Sequence, residues 1–436
     1  MKQTVRIFAI ILIIVLFTGC TANPVSTTNA IADPTTDPTA QTIGSGTVSI
    51  VDTIKNDFHG DVSGDWKVRR NRTVGALSDE GYYHTAPEGF LYFYDPASAV
   101  SVRLCSDVNC LHEEETNYEL YENCEAFIGN SWMIDTLFFT NETLYYIEMD
   151  YYGTNLYSRD PAGMQEKKVA SLARNYGEPD RNLIVNDALV HNGKLYYTVD
   201  VEGSVWHEEE QVTYIELEFS VICCLDLQTG EETELVRSLQ PKERLLLAAV
   251  SDNAIVYSVT RDIGTEDSPN VINTVVLHST EGKGSRILLR PKSSFTAHFD
   301  VHDGAFYLEE EAADGTFSFV GYDLVTSEVV YRSQLPAKDM QYLNKEYRLH
   351  YTWGGSSIIS IYNISTGEFL DGSVEGRGAT IYNVNDTGFI MLDRVLAEGS
   401  TSKYKEQRMF FCSFASLEDG FQQEDLQLIL TIGNAA

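Results

Sequence analysis

Seven stretches of the chain share one hydrophobic shape, a polar turn followed by a short run of aromatic and branched residues. They are "EGFLYFYD" (88–95), "NETLYYIE" (141–148), "NGKLYYTV" (192–199), "DNAIVYSV" (252–259), "DGAFYLEE" (303–310), "EYRLHYTW" (346–353) and "DTGFIMLD" (386–393). Matched on one column, their anchors are Phe93, Tyr146, Tyr197, Tyr257, Tyr307, Tyr351 and Met391, spaced 53, 51, 60, 50, 44 and 40 residues apart. A step of that size is the mark of repeated four-stranded blades. A second theme follows several copies: "CCLDLQTGEETEL" (223–235), "VGYDLVTSEVVY" (320–331) and "SIYNISTGEFLDG" (360–372). Each reads as a strand, a polar turn and another strand, and no helical periodicity of useful length interrupts the series.

The faces of these strands say how they are covered. In "GKLYYTV", Leu195, Tyr197 and Val199 share one face, and Lys194, Tyr196 and Thr198 share the other. Aromatics on both faces require both to be buried, as between stacked blades, whereas a sandwich leaves one face wet. The pattern predicts an all-β fold, a β-propeller of seven four-stranded blades over residues 66–432; a two-domain β-sandwich is the competing architecture. The last unit holds four strands of its own, "ATIYNV", "GFIMLDRV", "QRMFFCSF" and "LQLILTI", so ring closure needs no exchanged N-terminal strand.

The N-terminus breaks this pattern. Lys2 and Arg6 precede an unbroken apolar run, Ile7–Phe17. That layout is a secretory signal, shorter than the roughly 20 residues a spanning helix needs. It ends in Thr18-Gly19-Cys20, which resembles the lipobox of bacterial lipoproteins, with Phe17 where leucine is usual. We therefore expect a signal peptide over 1–19, lipid attachment at Cys20 and an extracytoplasmic, membrane-anchored protein; a plain secretory signal ending in cysteine is the alternative. Acyl chains bury ~0.8 kcal/mol per methylene, enough for stable anchoring when two or three are present. Residues 20–55, rich in Thr, Pro, Ala and Ser, read as a flexible tether.

Charge narrows the partners. The chain has 31 Lys+Arg against 64 Asp+Glu, and loss of Lys2 and Arg6 with the signal leaves 29 against 64. So acidic a body is repelled by nucleic acid and by anionic headgroups.

Candidate chemistry concentrates in "RLCSDVNCLHEEETNYELYENCEAF" (103–127), which holds three of the seven cysteines and one of the nine histidines. Matching the units puts Cys105 and Cys110 at the turn between the third and fourth strands of blade one. Cys105, Cys110, Cys124 and His112 would make a closed tetrahedral zinc set, structural rather than catalytic. Outside the membrane, cysteines more often pair, so a disulfide with a spare thiol stays open beside the metal. Cys223, Cys224 and Cys412 read as small buried apolar residues.

The lipobox, the Thr/Pro tether, the "NGxLYY" element and the Cys-x4-Cys-x-His…Cys-x-Ala box (Cys105, Cys110, His112, Cys124, Ala126) together resemble propeller surface lipoproteins of Gram-positive, mostly anaerobic bacteria. The resemblance implies location and fold, with no assigned activity.

No nucleophile elbow, zincin, phosphate loop or dinucleotide fingerprint is present. "STSK" (400–403) lacks the context of Ser-x-x-Lys chemistry, and "LHEEE" (111–115) and "WHEEE" (206–210) lack the alternating ligands of a calcium loop. Two functions remain: a binding or scaffold propeller for a glycan, peptide or envelope protein, or a polysaccharide hydrolase or lyase at the channel mouth. Carboxylates around an aromatic platform in the channel would favour the enzyme, and an apolar patch on the rim would favour the partner.

Overall fold

A computed structural model describes residues 49–68, 73–78, 80–86, 89–107, 110, 124–128, 134–150, 153–176, 181–207, 211–262, 271–290, 299–312, 314–337, 340–352, 358–375, 380–384, 387–396 and 404–433. The signal segment, Cys20 and the tether up to residue 48 lie outside them, as does His112. Among the described residues no helix is long and apolar enough to cross a membrane.

The fold is a seven-bladed β-propeller. Blade 1 is β2 (Thr73–Leu77), β3 (Tyr82–Thr85), β4 (Leu91–Asp95) and β5 (Val100–Arg103). Blade 2 is β6 (Ile134–Thr140), β7 (Thr143–Asp150), β8 (Gly153–Arg159) and β9 (Lys167–Ser171). Blade 3 is β10 (Arg181–His191), β11 (Lys194–His207), β12 (Val212–Asp226) and β13 (Glu232–Arg237). Blade 4 is β14 (Glu243–Val250), β15 (Ala254–Asp262), β16 (Val271–Ser279) and β17 (Ser285–Leu289). Blade 5 is β18 (Phe299–His302), β19 (Ala305–Glu311), β20 (Phe317–Asp323) and β21 (Val329–Leu335). Blade 6 is β22 (Gln341–Tyr342), β23 (Tyr347–Thr352), β24 (Ile358–Asn363) and β25 (Glu368–Phe369), with β26 (Val374–Glu375) beside β24. Blade 7 is β27 (Thr380–Val384), β28 (Gly388–Leu396), β29 (Tyr404–Ser413) and β30 (Gln427–Gly433).

Each blade is an antiparallel meander, and β2 and β6 join blades 1 and 2 in parallel through Thr73↔Thr136 and Val74↔Leu137. The core is divided among the gaps between blades. Leu195, Tyr197 and Val199 enter a cluster with Ile147 and Leu156 of blade 2. Tyr196, on the opposite face, enters one with Leu245, Leu247 and Tyr257 of blade 4. Both faces of one strand are therefore buried, as the aromatic pattern requires.

The anchor column holds for six units but slips by one strand in the first. Phe93 lies on β4, the third strand, while the second is Tyr82–Thr85. "YYHT" is only four residues long and buried throughout, so the longer aromatic run after it gave the stronger match. The turn after the third strand is consequently Asp95–Val100. Its Asp95 Oδ1 accepts from Ala97 N at 2.8 Å. Asp226, Asp323 and Asn363 close the same turn in blades 3, 5 and 6 by accepting from Gln228, Val325 and Ser365. These are Asx turns, the physical content of the second repeat theme.

Residues 49–68 form a strap. Ser49 caps a short helix, α1 (Ile50–Thr53), and its hydroxyl donates to the fully buried Glu243. Ile50, Val51 and Ile54 pack on the gap between blades 3 and 4. The strap then crosses the outer strand of blade 4, where Asn56 Oδ1 accepts from Ile287 N at 2.8 Å and His59 N donates to Lys283 O at 3.0 Å. Phe58 and Trp66 fill the gap between blades 4 and 5. Finally β1 (Lys67–Val68) pairs antiparallel with β14, the axial strand of blade 4. An ordered segment thus begins within the stretch read as tether.

Candidate metal centre

The cysteine box does not lie where the repeat alignment put it. It follows β5, in the connection from blade 1 to blade 2, because Asp95–Val100 is already the third-to-fourth strand turn. The chain leaves β5 with Leu104 N donating to Leu91 O at 3.0 Å. The Ser106 hydroxyl and amide both donate to Glu125 Oε2, at 2.6 and 3.1 Å. Those two bonds, hydroxyl first, hold the Glu125 carboxyl below its usual range. Cys110 N donates to Asp107 O at 3.0 Å. The return segment is pinned as an extra edge: Leu91 N donates to Ala126 O at 2.8 Å, Ile128 N to Gly89 O at 3.0 Å, and Phe90 bridges Phe127.

These ties bring the Cys105, Cys110 and Cys124 sulfurs within 4.8 Å of one another. Cys124 is buried and the other two are half-buried. Burial, more than the neighbouring thiols, pushes the Cys124 thiol up to about 12. Tetrahedral zinc, with sulfur at about 2.3 Å, spaces its sulfurs roughly 3.8 Å apart. A disulfide draws two sulfurs to about 2.05 Å and leaves the third out. Three sulfurs in one mutual cluster suit a shared cation, and soft donors select a thiophilic one.

Blade 2 supports the box from outside. The Arg159 guanidinium, 5% exposed, donates to the Glu125 carbonyl, to Gly163 O at 2.8 Å and to the Glu166 carboxylate. Gly163 has φ +79°, and a Cβ there would meet Leu104 Cβ at 2.8 Å, so the turn carrying Glu166 approaches closer than any side chain permits. Nothing in the spacing of the cysteines pointed to Arg159.

Cys223, Cys224 and Cys412 take the apolar places expected of them. Cys223 and Cys224 face different gaps, and burial pushes Cys223 and Cys412 up to about 12.

A second candidate is the central channel, a cavity of about 800 Å³ whose lining includes Trp66, Lys67, His191, Asp300, His302 and Glu346. His302 stacks on Tyr307 with centroids 4.1 Å apart. Its Nδ1 lies 3.2 Å from Asp303 and its Nε2 3.4 Å from Asp300. His191 Nε2 lies 2.8 Å from Asp252. "WHEEE" begins at the end of β11, with residues 208–210 outside the described set; "STSK" and the whole of "LHEEE" fall there too.

No protein-family model matches the chain, and no curated protein matches it. Solved structures share its architecture. A mutant of puromycin hydrolase is 10% identical over 79% of this chain, with a TM-score of 0.47. The chain spans about half of that protein, 52% of its length. The β-propeller domain of the Trilobed protease from Pyrococcus furiosus is 8% identical over 57% of this chain and 71% of that one, with a TM-score of 0.34. Oligogalacturonate lyase, in complex with manganese, is 13% identical over 84% of this chain and 81% of that one, with a TM-score of 0.32. These likenesses concern the fold alone.

Proposed function

We propose that this chain is an extracytoplasmic binding module, anchored to a membrane by acyl chains on Cys20, which presents a projecting β-ribbon to a basic, extended segment of an envelope protein. The ribbon is the observation that carries the reading. Among the described residues β10 pairs with β11 as far as Arg181↔Gly203, while Ser204–His207 continue to pair with Val212–Ile215 alone. On this two-stranded extension Val205, Trp206, Val212, Tyr214 and Ile215 are 40–61% exposed. A lone ribbon is marginal in water, and proteins usually blunt such edges. Apolar side chains beside edges that no described strand pairs suit strand addition by a partner. Glu202, Glu216 and Glu218 lie on the same two strands, in a chain of net charge -33, so a basic partner is the complementary one. The channel supports an enzyme less well, since β1 runs into it and His302 is held between two carboxylates.

For the thiol cluster the reading is one structural zinc on Cys105, Cys110 and Cys124. His112 is the fourth ligand the spacing suggests, outside the described residues.

The ribbon is tested with two synthetic strand peptides, one alternating Lys and Val and one alternating Glu and Val, followed by fluorescence anisotropy. We expect the Lys peptide to bind, salt to weaken it, and a Trp206→Ala, Ile215→Asp double variant to lose at least tenfold in affinity. Equal binding of both peptides, or none, or an unaffected double variant, overturns the ribbon reading. Anchoring is tested separately by fractionation in a Gram-positive host, where Cys20→Ala releases an otherwise membrane-bound protein.

A further inference from the structure

Among the described strands the ring closes without a shared one. Blade 7 takes all four strands from Thr380–Gly433, and among the described residues none pairs with a strand of blade 1. The seam between blades 7 and 1 is therefore held by side chains. Tyr82, Phe90, Tyr92 and Tyr94 of blade 1 meet Ile390, Leu392, Met409 and Ile429 of blade 7. The Tyr94 hydroxyl donates to Gln427 Oε1, and the Tyr94 and Phe411 rings lie 5.8 Å apart.

The cysteine box belongs to this same cluster. Cys124 and Ala126 lie inside it, and Cys105 and Cys110 pack against it. The box is also tied the other way, since Arg159 of blade 2 holds the Glu125 carbonyl. Sulfur atoms thus lie at the junction of the first and last blades, where neither the run of the chain from one blade to the next nor, among the described residues, a strand pair joins the two sides.

Resting on the metal reading above, we propose that the three thiolates form a clasp: a thiophilic divalent cation bound by Cys105, Cys110 and Cys124 locks the seam between blades 7 and 1. The cation fixes Cys124 to the end of blade 1, and the Cys124–Ile128 segment in turn presents its apolar face to blade 7. Each thiol loses its proton to water on ligation, so no oxidant is required. Without the cation, thiol contacts among the three cysteines and the two Ser106–Glu125 hydrogen bonds are what the described residues offer to hold the Cys105–Cys110 side against the Cys124 return. The opposite side of the ring differs, because the strap already crosses the gaps on both sides of blade 4.

That difference supplies the internal control. Amide hydrogen exchange is followed on the mature chain as purified without chelator, after chelation, and after reloading with Zn²⁺ alone, with metal counted by mass spectrometry. We expect one metal per chain. Chelation should speed exchange at least tenfold in β3, β4, β29 and β30, leave β14–β16 unchanged, and be reversed by zinc. Cys110→Ser, at a half-buried position, should mimic chelation if Cys124→Ser fails to fold. One metal per chain with unchanged seam exchange overturns the clasp and leaves the metal reading standing. No metal retained or taken up overturns both. Seam exchange that responds to reductant but not to chelator identifies a disulfide and overturns the cation.

Discussion

His84 shows how single residues here answer to burial. It is fully buried, with its ring stacked on Tyr92 at 5.4 Å and Nε2 2.7 Å from Ser101 Oγ. Burial pushes its pKa down to about 4, against 6.5 in the unfolded chain. Because the folded value is the lower one, the unfolded state binds the extra proton between those limits. Stability from the neutral ring is complete above pH 6.5 and is lost as pH falls towards 4, by about 3 kcal/mol in all. Urea midpoints at pH 7.5 and pH 4.5 should show wild type losing more than His84→Gln by about that amount; parallel losses would contradict it. At Gly163, φ +79° and the contact with Leu104 predict that Gly163→Ala costs about 2 kcal/mol, read as a lower thermal midpoint. The change would also disturb the residue next to Cys105.

Among the elements, the strap is the one whose removal is most diagnostic. Glu243 accepts from Ser49 Oγ, from Ile50 N at 3.3 Å and from Leu239 N at 3.2 Å, all within a buried site. Glu243→Ala leaves those donors without their acceptor and should cost about 2 kcal/mol. Phe58, 6% exposed in the gap between blades 4 and 5, should cost about 3 kcal/mol when cut to alanine. Limited proteolysis separates the two ends of the strap. Wild type should be trimmed only before Ser49, whereas Phe58→Ala should open new cuts between Ser49 and Trp66. An unchanged digest would mean that the strap is held chiefly by β1 on β14.

Over the whole molecule, charge is the dominant unbalanced term. A net charge of -33 spread on one closed body repels itself, and the Debye length shrinks from roughly 30 Å at 10 mM salt to about 8 Å at 150 mM. Raising sodium chloride across that range should therefore raise the thermal midpoint by several degrees. A flat or falling midpoint would show that local ion pairs such as Arg181–Glu218 outweigh the general repulsion. The two gaps crossed by the strap and the unstrapped seam also predict unequal exchange around the ring, with blade 4 among the slowest.

The sequence by itself determined the elements and their stacking. Aromatics on both faces of "GKLYYTV" could only be buried between two neighbours, and Tyr196 and Tyr197 do face different gaps. The four contiguous strands of blade 7 were likewise readable, because a meander is local in sequence. The three cysteines could be nominated as a group from their types and spacing, though not located, since "YYHT" was too short to register as a strand and the whole first unit moved by one. What only the tertiary structure decided were relations between distant residues. Arg159 on Glu125, Ser49 on Glu243, β1 in the channel and the seam against the box each join parts 34 to roughly 300 positions apart. Hydrophobic period reports which face of an element is covered, whereas the identity of the cover depends on how seven twisted sheets close around one axis.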